Sequence, residues 1–423
     1  MKPVEPRGAQ ITAQRSMEAL RNGVPNNNAV RALGCTQPPA TKSFTDQLDL
    51  LIRSANSEPA VVPGTLIAGG FGSGKSHTLA WFEIEALQRN FIVSRLAISK
   101  ETPLHSPVKL FLAAVREARL PDGRGSLLHE LAMRIDYRQP RVTSFLQWVK
   151  RFQPYESVAA TVDVHQHSQD PLLLEKIVGW WSGEKLGVSE VRNALKNMGK
   201  QGAYDVKAIR VVDLAPVRFE FAARYARAAG YAGWVILLDE TELIAHYSLL
   251  QRAKAYAELA RWLGAVEGQS IPGVAAVAAI TDDFAYYVLQ LQGDRKKVGA
   301  RLSGKGKDKN IVADAMATRG LDLIETAAIK LNLPTREHLL TSHNRLKDLY
   351  TAAYSLPLSH PTTPDLSENL PIRGHIRRWI STWDLERLYP NQELGIQTEE
   401  MPKNYDEDTE FEIESIDRAS EDI

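Results

Sequence analysis

Short apolar runs alternate with longer stretches of helical periodicity along this chain, and the alternation predicts the order of its elements. Thr65-Leu66-Ile67-Ala68 follows the turn Val61-Val62-Pro63-Gly64 and runs straight into glycines, which marks a short strand. Residues 75–89 suit a helix, and Phe91 to Ile98 reads as a second strand. Strand, loop, helix and strand in that order predict a parallel sheet with right-handed crossovers. The sheet resumes at Trp234-Val235-Ile236-Leu237-Leu238, a run of large apolar residues that suits a strand buried on both faces. A helix over 248–267 and the apolar run Val274 to Ile280 continue the pattern, with a weaker strand at 326–331 and a helix at 335–353.

Around this frame the periodicity is helical. Near the N-terminus it predicts helices over 13–22, stopped at Gly23, over 28–33, stopped at Gly34, and over 42–55. Another helix is expected at 107–120. From 121 to 205 no strong strand is visible, and 126–135, 143–152, 171–181 and 188–198 predict a helical insertion. Residues 293–310, rich in lysine and glycine, read as a mobile loop. Pro357, Pro361, Pro364 and Pro371 punctuate a linker before a last helix at 372–388. The expected organisation is a helical leader (1–60), an α/β core (61–330) carrying the insertion, a C-terminal helical region (331–395) and a tail (396–423).

Composition adds two points. The net charge is zero, yet from Glu399 onward eleven acids face only Lys403 and Arg418, so the rest of the chain is basic and the tail reads as a solvated, disordered end. A sharper reading lets the tail compete with nucleic acid or dock a partner. Cys35 is the one cysteine, which excludes an internal disulfide and fits a reducing compartment. No apolar stretch is long enough to span a bilayer and the N-terminus lacks a secretory core, so a cytoplasmic protein is expected.

The candidate chemistry sits at strand ends. Gly69-Gly70-Phe71-Gly72-Ser73-Gly74-Lys75-Ser76 fits G-x-x-x-x-G-K-S/T after a strand and opening a helix. Glycines let backbone N–H groups turn inward on phosphate, and the helix start adds its positive dipole end. Lys75 is expected to reach the β- and γ-phosphates, and the Ser76 hydroxyl to ligate Mg²⁺. Asp239-Glu240 ends the buried 234–238 run, at the sheet edge where ligands of open α/β folds bind. Asp239 suits the metal's hydration shell and Glu240 the attacking water; the plainer reading has Glu240 capping the next helix. Thr281-Asp282-Asp283 ends the 274–280 run, where Thr281 could sense the γ-phosphate or position water, and Asp283 could simply cap a helix.

GGFGSGKSH, the second strand running into ISKETPL (98–104) and ILLDETELI (236–244) together resemble the ATP-binding component of BREX-type bacteriophage-defence systems. EALRNGVPNNNAVRALGC (18–35) and IRGHIRRWISTWDLERLYP near the C-terminus extend the resemblance over about 15–390. It implies an AAA+-like P-loop ATPase of the origin-recognition type: a three-layer sandwich with a central parallel sheet and a C-terminal helical lid. It further implies that the strands ending at Asp239 and Thr281 flank the P-loop strand. By position, Gly69, Gly70, Phe71, Gly72, Ser73, Gly74, Lys75 and Ser76, with His77 beside them, would form the Walker A site for ATP. Asp239 and Glu240 would be the Walker B pair, with Ser76 and Asp239 serving Mg²⁺. Thr281 would be sensor 1, and Arg373 a sensor 2 candidate or else a surface arginine. Arg295, Arg301 and Arg319 lie where related ATPases place a trans-acting finger, and the sequence does not choose among them. A DNA-contacting role explains Lys296, Lys297, Lys305, Lys307 and Lys309 equally well.

The remaining signals are weaker. His165 and His167 lack a third ligand close by. Trp180-Trp181 and Trp379-Trp383 could stack on bases, but Trp379 and Trp383 are four apart on a predicted helix and suit core packing better. The leading functional expectation is an ATP-hydrolysing motor or switch in a multi-protein defence complex, on or near DNA and possible as a homo-oligomer. The competing one is a nucleotide-gated scaffold with negligible turnover that recruits partner proteins. A replication-loader-like reading expects a C-terminal winged helix, for which the stretch after Arg373 is short.

Overall fold

Each long apolar run becomes a strand of one sheet. In this computed structural model the described residues are 6–23, 26–54, 58–151, 155–303, 308–355, 366, 370–389 and 421–422. The strands are β1 (Thr65–Ala68), β2 (Ile92–Ala97), β3 (Ala118–Leu120), β4 (Gly123–Arg124), β5 (Ile209–Arg210), β6 (Trp234–Asp239), β7 (Val274–Ile280), β8 (Ile329–Lys330) and β9 (Glu421–Asp422). The main sheet has the order β4-β3-β2-β6-β7-β1-β8. β2, β6, β7, β1 and β8 run parallel, while β3 and β4 add an antiparallel hairpin beyond β2. The sheet is therefore mixed, not wholly parallel as expected.

Two further expectations are corrected here. β7 flanks β1, pairing Ala68 with Ile280, but β6 lies one strand further out, because β8 fills the other side of β1 through Ile67 and Ile329. The helix expected over 107–120 stops at Arg116; Ala118 and Leu120 are buried with Arg119 between them less so, the period of a strand.

Alternation along the strands builds two cores. Leu66, Ala68, Ile236, Leu238, Ala276 and Ala278 face one side, joined by the helices Pro107–Arg116, Val211–Ala228 and Leu249–Leu263. Ile67, Val235, Leu237, Val277 and Ala279 face the other, against the helices Pro38–Arg53 and Lys75–Gln88. Helices thus cover both faces of the sheet.

In the expected helical insertion the helices run Leu127–Arg134, Pro140–Arg151, Pro171–Ser182 and Val188–Asn197, with a further helix, Glu156–His167, between them. Their buried residues, including Leu128, Phe145, Val162, Trp181 and Val191, join the first core rather than forming one of their own. His165 Nδ1 bonds the Tyr137 hydroxyl at 2.9 Å, and its ring lies 4.9 Å from Trp181. His167 pairs with Asp163 at 3.0 Å.

The mobile loop expected at 293–310 is also corrected. Asp294–Ser303 and Asp308–Asp322 are helices, and residues 304–307 lie outside the described residues. Asp294 anchors the first of them: it is fully buried and accepts bonds from Arg252 at 2.7 and 2.9 Å and from the Tyr256 hydroxyl at 2.7 Å. Tertiary contacts override the local glycine content there.

The leader packs on the C-terminal helices. Met17, Leu20 and Leu33 from Pro6–Asn22 and Asn27–Leu33 share a cluster with Leu339, Leu346, Tyr350, Trp379, Ile380 and Trp383 from Arg336–Tyr354 and Ile372–Leu388. Both tryptophans of the last helix are core residues, as expected. Of the linker prolines Pro357, Pro361, Pro364 and Pro371, only Pro371 falls among the described residues. The acidic tail lies outside them, except that β9 pairs antiparallel with β5. Among the described residues no helix is long and apolar enough to cross a membrane.

Candidate functional site

β1 ends where the backbone must turn sharply into the helix Lys75–Gln88. Gly72 and Gly74 supply that turn with φ of +79° and +98°, a region that disfavours any residue with a Cβ. A Cβ at Gly69 would collide with Ser73 Oγ, so position 69 needs glycine for space. The first N–H groups of the helix, at Lys75, Ser76 and His77, have no carbonyl one turn earlier within it.

Lys75 is 9% exposed and donates from Nζ to the Gly69 carbonyl at 2.9 Å. The same ammonium lies 3.6 Å from Glu242 Oε1. Ser76 Oγ donates to Asp239 Oδ1 at 3.2 Å, joining residues 163 positions apart. Asp239 is buried at the end of β6; Arg95 Nη2 binds its other oxygen at 2.8 Å and the Glu240 N–H reaches Oδ1 at 3.1 Å. Glu240 holds φ +56°, a left-handed conformation that turns the chain out of β6 and leaves its side chain exposed. Although the residue reaches solvent, partial loss of water around its carboxyl pushes the Glu240 pKa up, Asp239 adds to the rise, and Lys75 and Arg95 oppose it. Glu242 is raised by burial first, with Lys75 opposing.

The C-terminal helix closes on the glycine loop. The Arg373 N–H donates to the Gly72 carbonyl at 3.3 Å, and its guanidinium lies 5.0 Å from the Phe71 ring centre. Burial lowers the Arg373 pKa, Arg377 adds to the fall, and Asp239 opposes it. The leader closes a further side: His77 Nε2 donates to the Gly34 carbonyl at 2.6 Å, and Arg345 Nη1 donates to the Leu33 carbonyl at 2.6 Å. Gln37 and Asn332 exchange two bonds, at 3.1 and 2.8 Å.

These walls enclose a cavity of about 320 Å³. Of the residues expected from the sequence, Gly70, Phe71, Gly72, Ser73, Gly74, Lys75, Ser76, His77, Asp239, Glu240 and Arg373 line it. Gly69 and Thr281 do not; Thr281 is buried at the end of β7, the strand beside β1. The candidate fingers Arg295, Arg301 and Arg319 are all exposed, and Arg295 binds Asp322 at 2.6 Å and Glu325 at 3.6 Å within its own chain.

Sequence reasoning missed Arg95, Glu242 and the leader wall formed by Gly34, Cys35, Thr36 and Gln37. Glu242 had a signal, a third acid within four residues of Asp239. Arg95 had none, being one arginine on a strand.

Fold and site define an α/β protein with a mixed central sheet, whose glycine-rich loop and acidic strand end meet in one cavity at the carboxyl edge of the parallel strands. The family model described as BREX system ATP-binding protein BrxC/D matches residues 12–121 and 150–368, and the chain belongs to that family. The resemblance carried by GGFGSGKSH and ISKETPL is thereby borne out, and with it an ATP-binding role in a phage-defence system. No curated protein and no solved structure matches the chain.

Proposed function

We propose that this chain is a Mg²⁺-dependent ATPase that acts as a motor or switch within a multi-protein defence assembly. The observation that carries the reading is the contact of Ser76 with Asp239, with Lys75 in the same cavity wall. A hydroxyl and a carboxylate form a hard oxygen pair of the kind magnesium takes alongside phosphate. Ser73 Oγ, buried with no hydrogen-bond partner among the described residues, fits a site built for a further polar group. The residues present therefore fit a triphosphate with its metal.

In this reading the loop's N–H groups and Lys75 hold phosphate charge, while Ser76 and Asp239 hold the metal. Magnesium, when bound, supplies positive charge to the phosphate oxygens. Glu240 orients and takes a proton from water, a task its raised pKa favours. Arg373 approaches from the C-terminal helix, which acts as a lid because loop and helix already share a hydrogen bond. The apolar half of the cavity, with Leu20, Leu33, Pro334, Ile372 and Ile376, suits a base between leader and lid. Loss of the γ-phosphate would release that arrangement, which is how hydrolysis becomes movement.

The test is nucleotide binding and single-turnover hydrolysis with Mg²⁺, with and without DNA and partner proteins. Lys75→Ala should abolish both, and Glu240→Gln should keep binding but lose turnover. Wild-type protein that binds nucleotide in no assembly state would refute the proposal. Binding without turnover under every condition would favour a nucleotide-gated scaffold.

A further inference from the structure

The acid nearest Lys75 is neither Asp239 nor Glu240. Glu242 lies in the first turn of the short 3₁₀ helix Thr241–His246 and lines the same cavity as the glycine loop. Its Oε1 is 3.6 Å from Lys75 Nζ, and its Oε2 is buried with no hydrogen-bond partner among the described residues. A carboxylate that only capped its helix would have its oxygens on backbone N–H groups or in water. Besides its contact with its own backbone N–H, this one turns one oxygen toward the lysine and leaves the other without a hydrogen-bond partner among the described residues.

We propose that Glu242 is the residue that makes this site select metal-complexed triphosphate over free triphosphate. The inference rests on the reading of the cavity as an ATP site. A triphosphate entering it must draw Lys75 away from Glu242, which leaves a largely buried carboxylate facing phosphate oxygens. Asp239 and Glu240 line the same cavity and add to the repulsion. Free triphosphate brings only negative charge into this acidic wall. The magnesium complex carries two compensating charges and is far less repelled, since like charges in a partly desolvated site interact strongly. Arg95 does not relieve Glu242, because its guanidinium is bound to Asp239.

The experiment measures the affinity of a fluorescent ATP analogue in excess Mg²⁺ and in excess EDTA, for wild type, Glu242→Gln and Glu242→Asp. Wild type should bind much more weakly in EDTA. Glu242→Gln keeps the shape and removes the charge, so it should tighten EDTA binding at least tenfold, about 1.4 kcal/mol, and shift Mg²⁺ binding much less. Glu242→Asp, which retains the charge, should stay near wild type. Glu242→Ala gives the same readout if glutamine impairs folding. An unchanged ratio between the two conditions in the Gln and Ala variants overturns this inference alone. Wild type that binds nucleotide under neither condition overturns the ATP-site reading instead.

Discussion

Arg95→Leu removes the one cation that, among the described residues, is in hydrogen-bond contact with Asp239. The side chains are 27% and 8% exposed, and the bond is 2.8 Å. Removing one partner of a fully buried ion pair costs about 3–5 kcal/mol, because the other charge is stranded. Water can reach Arg95 and follow it out, which brings the expected cost to about 2 kcal/mol, between the buried and exposed cases. At about 2.1 cal/mol/K per residue, the unfolding entropy of a chain this long is about 0.9 kcal/mol/K, so Tm should fall by roughly 2 °C. The assay is thermal unfolding of wild type, Arg95→Leu, Asp239→Asn and the double variant, without ligand. The double variant should recover about 1 kcal/mol relative to the sum of the two singles, because no unpaired carboxylate remains. If Asp239 serves magnesium as proposed, excess Mg²⁺ and ATP should narrow the deficit of Arg95→Leu, since the metal complex would give Asp239 a new cation. Strictly additive effects in the cycle, or a deficit that ligand leaves untouched, would refute the electrostatic account of Arg95.

Other perturbations follow from the same structure. Arg252→Leu strands the fully buried Asp294 and should lower stability by about 3–5 kcal/mol, read as a fall of several degrees in Tm. Burial pushes the Glu258 carboxyl above its ordinary 4.5, with Arg261 opposing, so the folded chain keeps a proton that the unfolded chain releases. Stability from this group therefore falls as pH rises from 4.5 through the raised value, and Glu258→Gln should raise Tm more at pH 8 than at pH 5; the opposite trend would contradict the assignment. Gly72→Val forces a β-branched residue to φ +79° beside Arg373 and Pro371, so it should weaken nucleotide binding at least tenfold in a direct titration.

Much of the fold was legible because buried strands announce themselves. β1, β6 and β7 are each built on an apolar run (Leu66–Ala68, Trp234–Leu238 and Val274–Ile280), and each formed where the pattern placed it. The elements that escaped are those whose local sequence argues against them. Glu156–His167 carries three valines and a threonine among its twelve residues, and Val211–Ala228 carries Pro216 within the helix; packing in the shared core outweighs those preferences. The helix at Asp294–Ser303 depends on a buried ion pair to Arg252, which no local window contains. The site divides in the same way. The glycine loop and Asp239 carry fixed spacing and context, whereas Arg95 and the leader wall matter only through contacts that span the chain. His77 reaches Gly34 across 43 positions and Gln37 reaches Asn332 across 295, distances that periodicity does not encode.

The most direct measurement is a structure of the chain with Mg²⁺ and a non-hydrolysable ATP analogue. A triphosphate bonded to Lys75, with its metal in the coordination sphere of Ser76 and Asp239, is the predicted result. A nucleotide bound in another part of the molecule, with Lys75 still held by Gly69 and Glu242, would contradict it.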